Sequence, residues 1–490
     1  MKGDTPRVLL TVASFLVTVA LWGCAIYYAV PYLYSDGDSA TWCWLLRHQE
    51  SIYAEPTSLP MRITNYPPLF LRLVAAVAPR DEGILTTGSL ISLAGFWVTM
   101  ALVGCCASQA TGDRRSGILA ALLLGGTSSA AYHASSCAPD ALGLCLVTAG
   151  VTWASLRLRG WPIGSGTLFA LALITKHSLI SLPVGTCLWA LWRYPRSGAL
   201  LVLSFLVLVG SALGFGGLFR PLVLQTVAPW SLTNFLVKAL WMIPLLPGMV
   251  ISGRLIRTLG QLPQPARQVL EPWGAGFVAT LLCIVSLGRV GSGANYLLEL
   301  AVVCSLLTTV AATYQGGRFE QIVCPAVLLL FGLGWCGFHM GFLLPAMHRE
   351  MQLVKSALEG KPGAVLAEHT WYTTALGRPP LIIPYLARQL ALAGKWNPGP
   401  LLEVLRRGEV AHVVLSFPVE EDPVGGHADR LPPGALETIR AHYRLVAHTD
   451  GVFIYQPLAP DPARSSRQAI RCGPAPAGRP SSPAAARHRN

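Results

Sequence analysis

The sequence predicts a polytopic α-helical membrane protein carrying a small C-terminal α/β unit. Three observations lead there. Of its 490 residues, 52% are hydrophobic and only 12% are charged, where ordinary soluble domains carry about 25% charged residues. Mean hydropathy is +0.49. The apolar runs are long and separated by short polar loops, whereas a β-barrel would show segments of about ten residues with alternating polarity.

The first apolar run, Val8–Val30, follows Met1-Lys2-Gly3-Asp4-Thr5-Pro6-Arg7. No small-residue cleavage signal comes after it, so it reads as an uncleaved span. A polar outer loop, 31–82, then carries Asp36-Gly37-Asp38, Ile52-Tyr53 and Asn65-Tyr66-Pro67-Pro68-Leu69. Within it, Pro67–Ala78 would be about 18 Å long as a helix, too short for a hydrocarbon core of about 30 Å. It reads as a juxtamembrane helix lying in the interface. Ten more spans follow, near Gly83–Cys106, Ser116–His133, Pro139–Ser155, Trp161–Ile174, Ser178–Trp192, Gly198–Leu218, Asn234–Ile251, Trp273–Leu287, Ala294–Tyr314 and Ile322–Leu344. The total is about eleven. Trp161–Trp192 would be about 48 Å as one helix, so it splits at Lys176-His177.

Loop charge sets the orientation. Arg114, Arg115, Arg157, Arg159, Arg193, Arg196, Arg254, Arg257, Arg267 and Arg318 all fall on one side. The positive-inside bias makes that side cytoplasmic. The N-terminus is then inside, and the acidic loop is outside. The net charge of +13 resides in these loops and the C-terminal tail, so no nucleic-acid partner is implied. Most of the 12 cysteines lie in apolar runs without metal-binding spacing, as small buried hydrophobes rather than a disulfide framework or zinc site.

The transmembrane part reads as 1–346. From 347 to 458 the chain turns to a helix-like Met351–Leu358 and β-rich runs at Ala364–Ala367, His412–Ser416 and Gly451–Tyr455, a soluble α/β domain on the outer face. Residues 459–490, rich in Pro, Ala, Arg and Ser, read as a disordered basic tail.

Carboxylates at a membrane edge are costly unless solvated, paired or used, which singles out Asp36 and Asp38. Either suits a general base, and the Asp-Gly-Asp spacing could hold a divalent ion. The plainer alternative has Asp38 capping a helix. Asp140 opens a span after Pro139 as a second acid or as a helix cap. Lys176 and His177, at an outer hairpin tip, and Arg220 and Lys238, near the next outer loop, are placed for an anionic group, against simple snorkelling for Lys176. Asn295, Tyr296 and Glu299 could hold a polar ligand or bond between helices. Tyr53 and Tyr66 could stack on the flat face of a ligand. Trp42 and Trp44 read as interface anchors.

The order of these features resembles the GT-C superfamily of polytopic glycosyltransferases. That group includes protein O-mannosyltransferases (glycosyltransferase family 39-like) and the aminoarabinose and mannosyl transferases of bacterial envelopes. The resemblance rests on Asp36-Gly37-Asp38, Ile52-Tyr53, Asn65-Tyr66-Pro67-Pro68-Leu69, Pro139-Asp140, Thr175-Lys176-His177 and Gly291-Ser292-Gly293-Ala294-Asn295-Tyr296, with Gly451–Pro457 closing the outer domain. Relatives often have Arg before the Pro-Asp pair, where this chain has Ala138. The resemblance implies a bacterial inner-membrane enzyme. It would take a sugar from a polyprenyl-phosphate donor at the outer face. An acceptor hydroxyl on a lipid, glycan or protein would receive it with inversion, through Asp36 or Asp38. A divalent Mg or Mn ion at Asp36 and Asp38 is the cofactor expectation. A transporter or flippase of lipid-linked sugars is the alternative. It would be expected to show related halves and broken helices, and no such repeat is visible in the sequence.

Overall fold

A computed structural model of the chain describes residues 5–28, 34–53, 59–127, 133–215, 228–289, 292–316, 322–420, 430–449 and 451–458. Arg220, Arg318, Gly291 and the 459–490 tail lie outside the described residues, as does the side chain of Asp36.

The bundle is built from α1 (Thr5–Tyr28), α4 (Ile84–Thr111), α5 (Arg114–Gly125), α6 (Asp140–Ser155), α7 (Trp161–Thr175), α8 (Ser181–Arg193), α9 (Pro195–Phe215), α10 (Leu232–Ala239), α11 (Leu246–Arg257), α12 (Gln264–Cys283), α13 (Leu298–Tyr314) and α14 (Cys324–Phe338). Among the described residues, six helical segments are long and apolar enough to cross a membrane, and α1, α6 and α7 contribute shorter apolar stretches. Large apolar side chains such as Leu203, Leu206 and Val207 of α9 point outward, as a lipid-facing surface requires. α13 runs through the centre and is buried on nearly every side. Small residues permit close crossings: a Cβ on Gly185 of α8 would fall 2.6 Å from the Ala275 carbonyl oxygen of α12.

The two ends of the bundle differ. At one end, Asp113 caps α5 through the Arg115 amide (3.0 Å). There Ser116 meets Thr313 (3.1 Å), the Tyr314 hydroxyl donates to the Ala110 carbonyl (2.9 Å), and Gln315 donates to Thr258 (3.0 Å). Arg157 bonds the Tyr194 hydroxyl at this end too. The opposite end carries Asp140, Lys176 and Asn295. The break between α7 and α8 falls at Lys176, whose extended backbone ends α7.

Two further helices, α2 (Tyr34–Arg47) and α3 (Pro68–Val77), belong to the segment between α1 and α4. The Asp36-Gly37-Asp38 stretch, expected as a loop, lies inside α2. Asp38 is therefore not a helix cap. α3 buries Pro68, Phe70, Leu71 and Val74 and leaves Leu73 and Val77 exposed. Its C-terminal carbonyls are held by Arg47, which donates to Ala78 (2.5 Å) and Pro79 (3.2 Å). Trp42 and Trp44 are core residues, 2% and 4% exposed, not interface anchors. The Trp42 indole donates to the Ile63 carbonyl (3.1 Å). A Trp with one satisfied N–H is as much at home in a packed core as at a headgroup layer.

α14 continues through a π-helical turn at His339–Leu343 into α15 (Leu344–Leu358), so helix spans the 346/347 position. Beyond it lie β1 (Ala364–Ala367), α16 (Trp371–Thr374), α17 (Pro384–Leu392), α18 (Gly399–Arg406), β2 (Val410–Leu415), α19 (Ala435–His442), β3 (Tyr443–His448) and β4 (Phe453–Pro457). The sheet order is β1-β2-β4-β3, with β1 and β2 parallel and the remaining pairs antiparallel. Parallel pairing demands a crossover, supplied by α16–α18. β3 was not expected: it is an edge strand, mostly exposed, without the apolar alternation that marks a strand.

The segment between α1 and α4 shares one apolar core with this sheet, in which Trp42, Ile52, Met61 and Phe70 pack with Val365, Ile383 and Tyr455. Met61 exchanges backbone hydrogen bonds with Leu381 and Ile383, both 3.0 Å.

Candidate active site at the polar end of the bundle

Asp140 opens α6, where the free N–H groups of the first turn favour an anion. Lys176, at the end of α7, brings its Nζ to 3.1 and 3.2 Å from the two Asp140 carboxylate oxygens. Gly143 allows this approach: a Cβ there would lie 3.2 Å from Lys176 Cβ and 2.8 Å from Leu179 Cδ1. From a 3-10 turn at Ala294–Leu297, the Asn295 side-chain amide donates to Asp140 Oδ1 (2.8 Å). The Lys176 ammonium also sits 4.3 Å from the centre of the Tyr66 ring, a cation–π arrangement. Asp140 and Lys176 are both nearly fully buried. Four residues from distant stretches thus complete one buried ion pair, and such a pair persists only when its remaining polar atoms are satisfied.

Next to this group, Lys238 of α10 donates to the Arg289 carbonyl (3.0 Å) and to Ser292 Oγ (2.9 Å). Lys176, Arg289, Ser292, Asn295, Tyr296 and Tyr66 line a polar cleft of about 50 Å³, together with Asn65, His177, Ser178 and Tyr385. Tyr385 comes from α17, so the C-terminal unit contributes a wall. Three cations gather here, of which one is already neutralised by Asp140. The surplus positive charge at the end of an apolar bundle suits an anionic, lipid-attached ligand.

Of the residues expected at a site, Tyr66, Asp140, Lys176, His177, Asn295 and Tyr296 come together at the cleft. Tyr53 stands behind it, its hydroxyl donating to the Tyr66 carbonyl (3.0 Å). Glu299 faces elsewhere. Its carboxylate accepts the Ser181 (3.2 Å) and Leu182 (2.9 Å) amides at the start of α8, a helix cap formed in trans rather than a sugar contact. Arg289, Ser292 and Tyr385 were not singled out from the sequence. Arg289 had a signal, as one of two arginines between the later spans, with Arg220, that fall away from the arginine-rich loops, and as a neighbour of the Gly-rich stretch; Tyr385 had none.

Asp38 is buried against the C-terminal unit. Thr370 donates to its Oδ1 (2.7 Å), and Thr41 donates to Thr370 (3.0 Å). Burial pushes the Asp38 carboxyl up to about 7, with the Thr370 hydrogen bond and the Arg430 charge pulling it down. Arg430 itself pairs with the fully buried Glu368 (2.7 Å), which also accepts the Ser416 amide (2.8 Å) and hydroxyl (2.6 Å). No cluster of three or more His, Cys, Asp or Glu gathers among the described residues, and one Asp38 oxygen is already engaged. The other half of the expected pair, the Asp36 side chain, lies outside the described residues.

No protein-family model and no curated protein matches the sequence. Solved structures do match. The crystal structure of ArnT from Cupriavidus metallidurans bound to undecaprenyl phosphate superposes with a TM-score of 0.61 and 12% identity, covering 92% of this chain and 98% of that one. The apo form of the same protein gives 0.59 and 12%, covering 93% and 98%. At this identity the likeness is one of fold: the chain shares the fold of that polytopic protein.

Proposed function

We propose that the chain is a membrane glycosyltransferase that moves a sugar from a polyprenyl-phosphate donor to an acceptor hydroxyl at the outer face of a bacterial inner membrane. The observation that carries this reading is the cationic cleft lined by Lys176 and Arg289, with Lys238 bonded to its Ser292, beside the buried Asp140–Asn295 pair. The fold it shares with a protein crystallised with undecaprenyl phosphate supports the lipid-phosphate half. The arginine-rich end of the bundle then faces the cytoplasm, and about eleven spans cross between the ends.

In a single displacement, a carboxylate takes the proton of the acceptor hydroxyl. The acceptor oxygen attacks the anomeric carbon from the face opposite the phosphate. The bond from that carbon to the phosphate oxygen breaks, and polyprenyl phosphate leaves with the electron pair. Its growing negative charge is met by Lys238 and Arg289, while Lys176, held by Asp140, positions the phosphate. Asp36 is the base in this reading. Asp38, engaged by Thr370, holds α2 against the C-terminal unit. No step passes through a metal.

The test is transfer by the purified protein in liposomes containing polyprenyl-phosphate sugars, with extracted envelope lipids and glycans as acceptors. Asp36→Asn should abolish transfer while leaving the unfolding temperature unchanged. Donor translocation without transfer would replace this reading with a flippase.

A further inference from the structure

The arginine-rich end of the bundle holds a second recess, remote from Asp140 and Lys176. It is a groove of about 620 Å³ between α8, α11 and α12. The space exists because Gly260, Gly274 and Ala275 carry almost no side chain there. Its walls are apolar, and Leu188 (61% exposed) and Trp192 (85% exposed) open to the outside of the bundle. Its rim is charged. Glu271 lies 3.9 Å from Arg193 Nε and 3.6 Å from Arg267 Nε, and accepts the Trp189 indole N–H (3.3 Å). Two guanidiniums share one carboxylate, so the rim keeps a net positive charge. Both arginines are well exposed (50% and 38%) and retain unused donors.

We propose that this groove binds an anionic phospholipid of the adjacent leaflet, the phosphate on Arg193 and Arg267 and an acyl chain along Leu188 and Trp192. Three features favour that occupant. The groove opens on the surface that a spanning helix turns to lipid. Tryptophan and arginine together mark the headgroup layer. The guanidinium fork matches a phosphate in two parallel hydrogen bonds, with Glu271 fixing both forks in place. A zwitterionic lipid brings its own cation and loses the charge match, and a free phosphate leaves the apolar wall empty.

The experiment is native mass spectrometry of the full-length protein from micelles doped with equal dioleoylphosphatidylglycerol and dioleoylphosphatidylcholine, with or without millimolar glycerol 3-phosphate. The wild type should retain the glycerol lipid preferentially, and glycerol 3-phosphate should not displace it. Each arginine should contribute about a fivefold preference. Arg193→Gln/Arg267→Gln should therefore lose it by tenfold or more, while Arg196→Gln, exposed but outside the groove, changes nothing. Should the double variant not fold, Arg193→Gln alone must still show the fivefold loss. Equal retention of the two lipids by the wild type, unchanged retention by the variants, or displacement by glycerol 3-phosphate would each overturn the proposal.

Discussion

Replacing Asp38 by Asn should make the protein more stable at alkaline pH and change little in acid. The Thr370 hydroxyl still finds a carbonyl oxygen to donate to, so the hydrogen bond at 2.7 Å survives. What disappears is the buried charge. The Asp38 carboxyl is raised from 3.8 to about 7 by burial, so the folded protein keeps a proton that the unfolded chain gives up near pH 4. Stability from this group is therefore greatest below about pH 4 and declines as pH rises towards 7. About three pH units at ~1.36 kcal/mol each give a loss of at most about 4 kcal/mol. Asn does not titrate and escapes that loss. Thermal unfolding in detergent, followed by tryptophan fluorescence at pH 4.5 and pH 8 (about the two ends of the titration), reads the difference directly. The variant should gain several degrees over wild type on going from the acid to the alkaline condition. An equal shift at both pH values would refute the buried carboxyl. A loss of transfer with no stability change would instead return Asp38 to the role of base.

Lys176→Ala should cost about 3–5 kcal/mol in stability, because it strands the Asp140 carboxylate in the bundle; Lys176→Met/Asp140→Leu should recover most of the unfolding temperature but no transfer. Glu299→Ala leaves the Ser181 and Leu182 amides without their acceptor and should cost about 2–3 kcal/mol. If that variant is assayed below its unfolding temperature, its KM for donor stays at the wild-type value; a raised KM would mean the carboxylate touches the ligand. Arg289→Ala, on the cleft wall but outside the Asp140 ion pair, should raise the KM for polyprenyl-phosphate donor about tenfold, the worth of one charge-assisted contact, with little effect on folding.

The helical membrane class was legible because its cause is local: apolar length and loop charge are written residue by residue. The break at Lys176 was legible for the same reason, since an unbroken helix would have been too long for a bilayer. The pairing of Asp140 with Lys176 and Asn295 was not, although all three stood out, because their meeting depends on how α6, α7 and α13 pack. Glu299 misled for the same reason. An acid at the start of an apolar helix looks available until the neighbouring α8 brings two bare amides to it. Trp42 and Trp44 misled because composition at a membrane edge cannot tell an anchor from a core residue roofed by distant sequence. Tyr385 reaches the cleft from some 200 residues beyond Lys176, and no spacing in the chain announces it.

That roofing bears on how the molecule is made. Trp42 and Phe70 are translated more than three hundred residues before Ile383 and Tyr455, which share their core. The helix bearing the acids stays half-wrapped while the intervening residues are made. A chain cut short before β4 would expose apolar side chains of that core. The packing thereby leaves the core around α2 incomplete until β4 has been made.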